Sequence, residues 1–269
     1  MNDRTTPTRE APVSRFPTIR HVPTSAVKTW LLAAWHDFRR AGLGSLFYGV
    51  CFAIGGWLLY FVISEAFALF AGLTTGFLLL GPFLTFGLYD LSRRIQLGEP
   101  CLLRPTLSAW RPNLANIGLF AAVLAIVFLV WARASMVVFA LFFSGGLPTF
   151  GDVVRTVFTF EQPDFAAVYF AVGGFFAAFV FAISVVSLPM MLDRRTDAVT
   201  AALVSLVACG QNFATMALWA ATIAVLAVIG FASLFIGLVV TIPLIGHASW
   251  HAYRDLVEPL TDCESEAGA

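Results

Sequence analysis

Six apolar runs, each close to 20 residues long, dominate the 269-residue sequence. A helix needs about 20 mostly apolar residues to cross the hydrocarbon core of a bilayer. Lipid offers the backbone no hydrogen-bond partner, and the runs lack the alternation of a membrane β-barrel, so we expect spanning helices. The predicted spans are approximately 44–64, 66–90, 116–140, 165–189, 212–231 and 233–253.

The composition agrees with a chain whose main solvent is lipid. Charged residues make up only 12% of the sequence and hydrophobic residues 59%, whereas soluble domains carry about 25% charged residues. The chain therefore has too little polar surface to cover a water-exposed globule. Its net charge of zero gives no indication of a nucleic-acid partner.

The distribution of basic residues predicts the orientation. Fourteen of the 16 Lys and Arg residues fall on one side of the six predicted spans, and only Arg133 and Arg155 fall on the other. Basic residues are enriched in cytoplasmic loops of membrane proteins. We therefore expect both termini in the cytoplasm, which requires an even number of spans.

The ends of the chain differ from the predicted membrane domain, 25–258. Residues 1–24 are rich in Pro, Thr and Arg and predict a flexible cytoplasmic tail, and 259–269 predict a second one. Between the first tail and the first span, residues 25–40 are too short and too polar to cross a bilayer. Apolar residues recur there at helical spacing, which indicates a helix lying in the membrane interface: Val27, Leu31, Ala34, Trp35 and Phe38.

An internal repeat is visible in the sequence. RPNLANIGLFAA (111–122) aligns without gaps to GQNFATMALWAA (210–221), and each is followed by two predicted spans. We expect an all-α membrane protein with six transmembrane helices in three tandem hairpin units, each preceded by a short interfacial helix. The linker 135–165 is interpreted as an interfacial loop, with a lid over an outward-facing cavity as the alternative.

His247 and His251 are the strongest candidate for chemistry. Four residues apart on a helix, they share one face and can hold a divalent metal together if a third ligand is present. His36, in the predicted interfacial helix, should lie at the same membrane level. A cytoplasm-facing cluster is therefore possible with the aspartates expected there: Asp37, Asp90, Asp193 and Asp255. The alternative is structural: His251, Tyr253 and Arg254 are interfacial anchors, and His247 donates a bond to a neighbouring helix. Nothing in the sequence requires a cofactor.

Five further charged residues are candidate polar sites: Arg133, Glu65, Asp90, Asp193 and Arg254. Arg133 lies inside a predicted span, where it can extend to the interface or pair with Glu65. Asp90 and Asp193 each end the second span of a unit before a pair of arginines, which predicts a local ion pair at the surface. Arg254 follows the histidine pair and is expected at the same surface.

Four segments carry a resemblance to a known family: GFLLLGPFLTFGLYDLSRR (76–94), WARASMVVFALFF (131–143), FAISVVSLPMMLDRR (181–195) and PLIGHASWHAYRDLV (243–257). Together they resemble the bacterial integral membrane family called domain of unknown function 2189, over about residues 20–258. The resemblance implies a multi-pass protein of the bacterial inner membrane. It implies no activity, because the family has none established.

No catalytic motif is present, so we expect a protein that is not an enzyme. The favoured hypothesis is a membrane protein that binds or moves a small molecule or lipid, or that supports a membrane complex. The alternative is a metal-linked or redox-linked accessory protein that uses His247 and His251. The expected partners are the lipid bilayer and a membrane protein or a second copy of the chain.

Overall fold

A computed structural model describes residues 16–63, 84–143 and 162–258, and these are almost entirely helical. In chain order the helices are α1 (Ala26–Ala41), α2 (Leu43–Ile63), α3 (84–97), α4 (Leu103–Thr106), α5 (Leu114–Phe142), α6 (Pro163–Ser184), α7 (Ser187–Arg194), α8 (Ala198–Gln211), α9 (Phe213–Ala232) and α10 (Leu238–Leu256). A short 3-10 turn, Arg111–Asn113, precedes α5.

Four helical segments are long and apolar enough to cross a membrane: Leu43–Phe61, Leu103–Phe142, Pro163–Arg194 and Phe213–Ala232. They overlap the spans predicted at 44–64, 116–140, 165–189 and 212–231. Most of the span predicted at 66–90 lies outside the described residues. The span predicted at 233–253 corresponds to α10, which begins later and is less apolar than the four segments.

The last helix is the centre of the packing. α10 packs most extensively against α1 and α2, next against α9, and also against α7. Much of its surface is therefore buried, including polar side chains such as His247 and Ser249. A helix surrounded by protein can carry polar groups that a lipid-facing helix cannot, which explains why α10 is less apolar than the other long helices.

Two bends divide helices that would otherwise be continuous. Gly42 takes a positive φ of 51° between α1 and α2, a conformation that glycine adopts without a steric penalty. Pro189 has no N–H to donate to the Val185 carbonyl, and the helix is interrupted between α6 and α7. Ser205 of α8 satisfies backbone groups at this interruption, because its hydroxyl donates to the Ala182 carbonyl and accepts from the Val186 N–H.

Glycine allows α10 to approach its neighbours closely. A Cβ atom added at Gly49 of α2 would overlap the backbone carbonyl of Val239. A Cβ added at Gly246 of α10 would lie 2.7 Å from Leu88 Cδ1. Small residues commonly permit such backbone approaches between membrane helices.

The N-terminal segment is held more firmly than a flexible tail over 1–24 predicts. Residues 1–15 lie outside the description, but Ile19 forms a β-bridge with Val257. The Val22 N–H donates to Asn212 Oδ1 at 2.8 Å, and Asn212 Nδ2 donates to the Arg20 carbonyl at 3.0 Å. We call residues 16–24 the N-terminal strap, because backbone and asparagine hydrogen bonds tie them to the end of α10 and to the α8–α9 junction.

Two other boundaries differ from those predicted. α5 continues to Phe142, so the first part of the predicted 135–165 linker is helical; residues 144–161 lie outside the description. The short helices before the long ones also differ in length. α1 and α8 have 16 and 14 residues, whereas the corresponding segment before α5 holds only α4 and the 3-10 turn.

Candidate functional site

A buried chain of hydrogen bonds centres on His247. Its Nε2 lies 2.8 Å from Ser45 Oγ of α2, and its Nδ1 lies 2.7 Å from Ser92 Oγ of α3. Ser92 Oγ in turn donates to Asp37 Oδ2 of α1 at 2.7 Å. His247, Ser45 and Ser92 are completely buried. One imidazole therefore joins side chains from the helices that surround α10.

The donor direction along this chain follows from the chemistry of its ends. Ser92 has one hydroxyl proton and gives it to the Asp37 carboxylate, so it must accept from His247 Nδ1–H. In neutral His247 the other nitrogen, Nε2, is then the acceptor for the Ser45 hydroxyl. Every bond points from Ser45 towards Asp37.

His251 approaches the same carboxylate from the other side. Its Nε2 lies 2.8 Å from Asp37 Oδ2, and its Nδ1 lies 3.4 Å from Gln96 Nε2. Trp250 Nε1, which can only donate, bonds to Gln96 Oε1 at 3.0 Å and so turns the amide nitrogen towards His251. His251 Nδ1 is then an acceptor, and Nε2–H donates to Asp37. We call the set Ser45, His247, Ser92, Asp37 and His251 the polar centre.

The polar centre holds a buried negative charge. The Asp37 side chain is only 4% exposed. Burial opposes ionisation, but the hydrogen bonds from His251 and Ser92 outweigh it, and the pKa of the Asp37 carboxyl is lowered. Asp37 is thus an ionised hydrogen-bond acceptor, and α3 and α10 each supply a donor to it.

A second polar cluster lies where α3, α7 and α10 meet. The Tyr253 hydroxyl donates to Asp193 Oδ2 at 2.7 Å, and Arg254 Nη1 donates to the same oxygen at 3.1 Å. Arg93 lies within 3.7 Å of both Asp90 and Asp193. Asp90, Asp193 and Arg254, three predicted sites, therefore form one ion network that ties the helix ends together.

Not every predicted site residue joins these clusters. The His36 side chain is 67% exposed, and its Nδ1 approaches Asp37 Oδ1 at 3.6 Å rather than the histidine pair. Arg133 lies exposed on α5, and its proposed partner Glu65 lies outside the described residues. Tyr253 does join the second cluster, but its ring is buried and so it is not the interfacial anchor of the structural alternative.

The described residues place no third metal ligand beside His247 and His251. Within 16–63, 84–143 and 162–258, no three His, Cys, Asp or Glu side chains are placed to hold a metal ion. Both ring nitrogens of His247 are engaged by serine hydroxyls. A metal would have to displace one of these bonds. The donor set therefore fits a network of hydrogen bonds better than a metal centre.

The outer face of α1 has a different character. The buried face carries Val27, Trp30, Ala34, Asp37 and Ala41. On the opposite face Leu32 is 61% exposed and Trp35 46% exposed, and Arg39 and Arg40 are exposed beside them. This combination of apolar, aromatic and basic side chains is typical of helices at a membrane surface.

Several bonds hold α1 in place so that this face points outward. Trp30 Nε1 donates to Asp255 Oδ2 of α10 at 2.6 Å, and its ring meets Trp219 of α9 edge-on at 6.0 Å. Asp37 adds its bonds to α3 and α10. α1 is therefore fixed by its inner face.

Sequence reasoning placed Asp37 at the level of the histidine pair, which the structure bears out, but it missed the other partners. Ser45, Ser92 and Gln96 stand in helices without any motif, and no sequence signal marks them. Asp37 had a signal: the positions 27, 30, 34, 37 and 41 repeat at intervals of three and four residues, which is the spacing of a buried helix face. The predicted face instead included Trp35, which is largely exposed.

Comparison with known proteins supports the membrane assignment. Residues 69–193 match the model of a family described as predicted integral membrane protein (DUF2189), which confirms the resemblance over that segment. The match ends before α10, so the polar centre lies partly outside it. No curated protein and no solved structure is significantly similar to the chain.

Proposed function

For an integral membrane protein that matches this family, we propose a non-enzymatic role: binding of anionic lipid at the cytoplasmic end of a six-span bundle. The observation that carries the proposal is the outward face of α1, which presents Trp35 and two arginines immediately before the first candidate span. Lipid head groups meet such mixed apolar and basic surfaces at the membrane interface.

The proposed topology has six spans with both termini in the cytoplasm of a bacterial inner membrane. Support for the two spans beyond the four candidate segments comes from α3 and α10. α3 continues the apolar run at 66–90, and the 19 residues of α10 extend about 28 Å. Arg93 of α3 and Arg254 of α10 meet at Asp193 of α7 in one ion network. Arg133 is far from these residues in sequence and lies on a lipid-facing helix. The proposed topology assigns it to the opposite side of the membrane, where the positive-inside rule allows few basic residues.

The three tandem units gain support from two equivalent asparagines. Asn113 and Asn212 occupy the same place in the aligned segments, and both precede a long helix with similar backbone angles: φ −128°, ψ 30° and φ −118°, ψ 36°. Both are buried, and both side-chain amides donate to main-chain carbonyls: Asn113 to Met191 and Thr196, and Asn212 to Arg20 and Ala208. A shared junction of this kind is what duplicated units would retain.

The polar centre favours lipid binding over a solute pathway. Its hydroxyls, imidazoles and carboxylate are bonded to one another, which leaves few donors for a solute. We assign it the structural role of holding α1 against α10. This assignment also gives no support to the metal-linked alternative, in which His247 and His251 would be ligands.

The proposal is tested by the lipid that accompanies the protein. We expect protein extracted with its surrounding lipid in polymer nanodiscs to be enriched in phosphatidylglycerol over the bulk membrane, measured by lipid mass spectrometry. A second bacterial membrane protein of similar span number, extracted in parallel, is the control. Lipid of the same composition as the bulk membrane would overturn the proposed function.

A further inference from the structure

A shallow, open groove of about 420 Å³ lies on the outer face of α1 and is lined by side chains of this helix alone: Leu32, Trp35, His36, Arg39 and Arg40. The Trp35 ring stacks on Phe38 with centroids 5.6 Å apart and an angle of 19° between the planes. The stacking holds the indole beside the basic side chains. The groove therefore combines an apolar wall with positively charged groups on one rigid helix.

The arginines of this groove differ from those of the ion network. Arg93, Arg94 and Arg254 each contact a carboxylate. Among the described acidic residues, none forms an ion pair with Arg39 or Arg40. Asp37, the acidic residue nearest in sequence, is turned inward and bonded to Ser92 and His251. Two adjacent positive charges thus remain available to an anion.

The position of the groove suggests which anion it meets. Only Gly42 separates the end of α1 from Leu43, which is 84% exposed and begins a candidate membrane span. Arg39 and Arg40 precede Leu43 by four and three residues. Because the chain bends at Gly42, α1 can lie in the interface, where its outer face presents the guanidinium groups to lipid phosphates and presents Leu32 and Trp35 to the boundary of the acyl chains.

We propose that this groove is a specific site for one anionic phospholipid, whose phosphate binds Arg39 and Arg40 and whose glycerol and upper acyl chain contact Trp35 and Leu32. The inference rests on the proposed function but is narrower, since general enrichment of anionic lipid requires no defined site. Arginine suits this task because its planar guanidinium can bond two phosphate oxygens at once.

The test compares two double variants that remove the same charge. Arg39→Gln/Arg40→Gln changes the groove, whereas Arg104→Gln/Arg111→Gln removes two other exposed arginines predicted on the same side of the membrane. Purified full-length protein, freed of lipid in detergent, is titrated with dioctanoyl phosphatidylglycerol or dioctanoyl phosphatidylcholine. Native mass spectrometry counts the lipids bound to each chain.

We expect one phosphatidylglycerol to bind the natural protein in preference to phosphatidylcholine. Arg39→Gln/Arg40→Gln should weaken that binding by about 30-fold, because each basic residue near an anionic surface contributes roughly a fivefold factor. The Arg104→Gln/Arg111→Gln control should retain the binding within about threefold, since diffuse attraction is screened by salt. All four replaced arginines are exposed, and an unchanged melting temperature in detergent would confirm that the variants fold.

The possible failures are distinguishable. No preference of the natural protein for phosphatidylglycerol would overturn both the site and the proposed function. A preference that survives in Arg39→Gln/Arg40→Gln, or that falls equally in both double variants, would overturn the site alone. Equal binding of free glycerol phosphate would show a site for a soluble phosphate, and an acidic protein segment that binds while lipid does not would show a protein-docking surface; either result overturns the lipid site.

Discussion

α10 and α5 are both long helices of the same bundle, yet they meet opposite surroundings. α10 carries His247, Trp250 and Tyr253, all buried, and contacts several other helices. α5 is far more apolar, but only 17% of its most apolar window is buried, and it exposes Arg133. Hydropathy thus identifies the helix that faces lipid, whereas the helix that organises the protein carries its polar groups inside.

The largest test of this contrast removes the imidazole of His247. His247→Ala leaves Ser45 and Ser92 without their partner and opens a cavity, so we expect the free energy of unfolding to fall by about 3–5 kcal/mol. Val130→Ala on the exposed face of α5 is the control and should cost under about 1 kcal/mol. Denaturation of both variants in detergent micelles measures the difference. Equal losses would contradict the central role of α10.

The next test concerns the charge at the polar centre. Because the pKa of the Asp37 carboxyl is lowered in the folded protein, its ionised form stabilises the fold at neutral pH. That contribution is present above the ordinary carboxyl pKa of about 3.9 and is lost as pH falls through the lowered pKa. Asp37→Asn should therefore destabilise the protein by about 2–3 kcal/mol at pH 7.

The pH dependence provides the control for Asp37→Asn. The gap in melting temperature between the variant and the natural protein should narrow as pH falls below about 4. A gap that stays constant from pH 7 to pH 3 would mean that Asp37 acts through shape and not through charge. The variant should also release α1, which limited proteolysis near the Gly42 bend would detect.

A third test of the contrast between α10 and α5 uses the close backbone contact between α2 and α10 at Gly49. Gly49→Ala adds a methyl group against the Val239 backbone of α10, and we expect a loss of about 1–3 kcal/mol as the helices separate. Gly118→Ala on α5 meets nothing within 4 Å and should be neutral or stabilising by up to about 1 kcal/mol. Thermal unfolding of the pair measures the contrast. The prediction would be wrong if Gly49→Ala and Gly118→Ala changed the free energy of unfolding in the same direction.

The smallest expected effect is at Arg133. Its exposed position on α5 predicts a change of less than about 0.5 kcal/mol in Arg133→Gln. The measurement is again thermal unfolding, with Arg254→Gln as a matched variant that loses its bond to Asp193. A larger loss in Arg133→Gln than in Arg254→Gln would place a polar partner beside Arg133 and weaken the view of α5 as a lipid-facing helix.

Much of the helical plan was predictable, because apolar length is a direct requirement of the bilayer. The spans at 44–64, 116–140 and 212–231 agree with α2, α5 and α9 to within a few residues. The match to the membrane family over residues 69–193 agrees with this plan. α10 was placed about five residues too early at its start, since the apolar turn before it resembles a helix in hydropathy alone.

The site was only half predictable. The spacing of His247 and His251 indicated a shared face, and the structure joins both residues to Asp37 through side-chain hydrogen bonds. The metal prediction named His36 because it lies in the right helix, but a residue's depth does not give its direction. His36 and Asp37 are neighbours in sequence, but one residue rotates the side chain by about 100° around a helix. Asp37 is therefore buried and bonded to α10, whereas the His36 side chain is 67% exposed.

The central position of α10 also has a consequence for biogenesis. Its partners Asp37, Ser45 and Ser92 are all synthesised before it, and the N-terminal strap closes on its final residues. Until α10 emerges from the ribosome, those earlier helices hold an ionised carboxylate and two hydroxyls without their imidazole partners. The nascent chain thus completes this interior only when residues 238–256 have been translated, and a truncation before residue 238 should be removed by membrane proteases while still carrying most of its apolar helices.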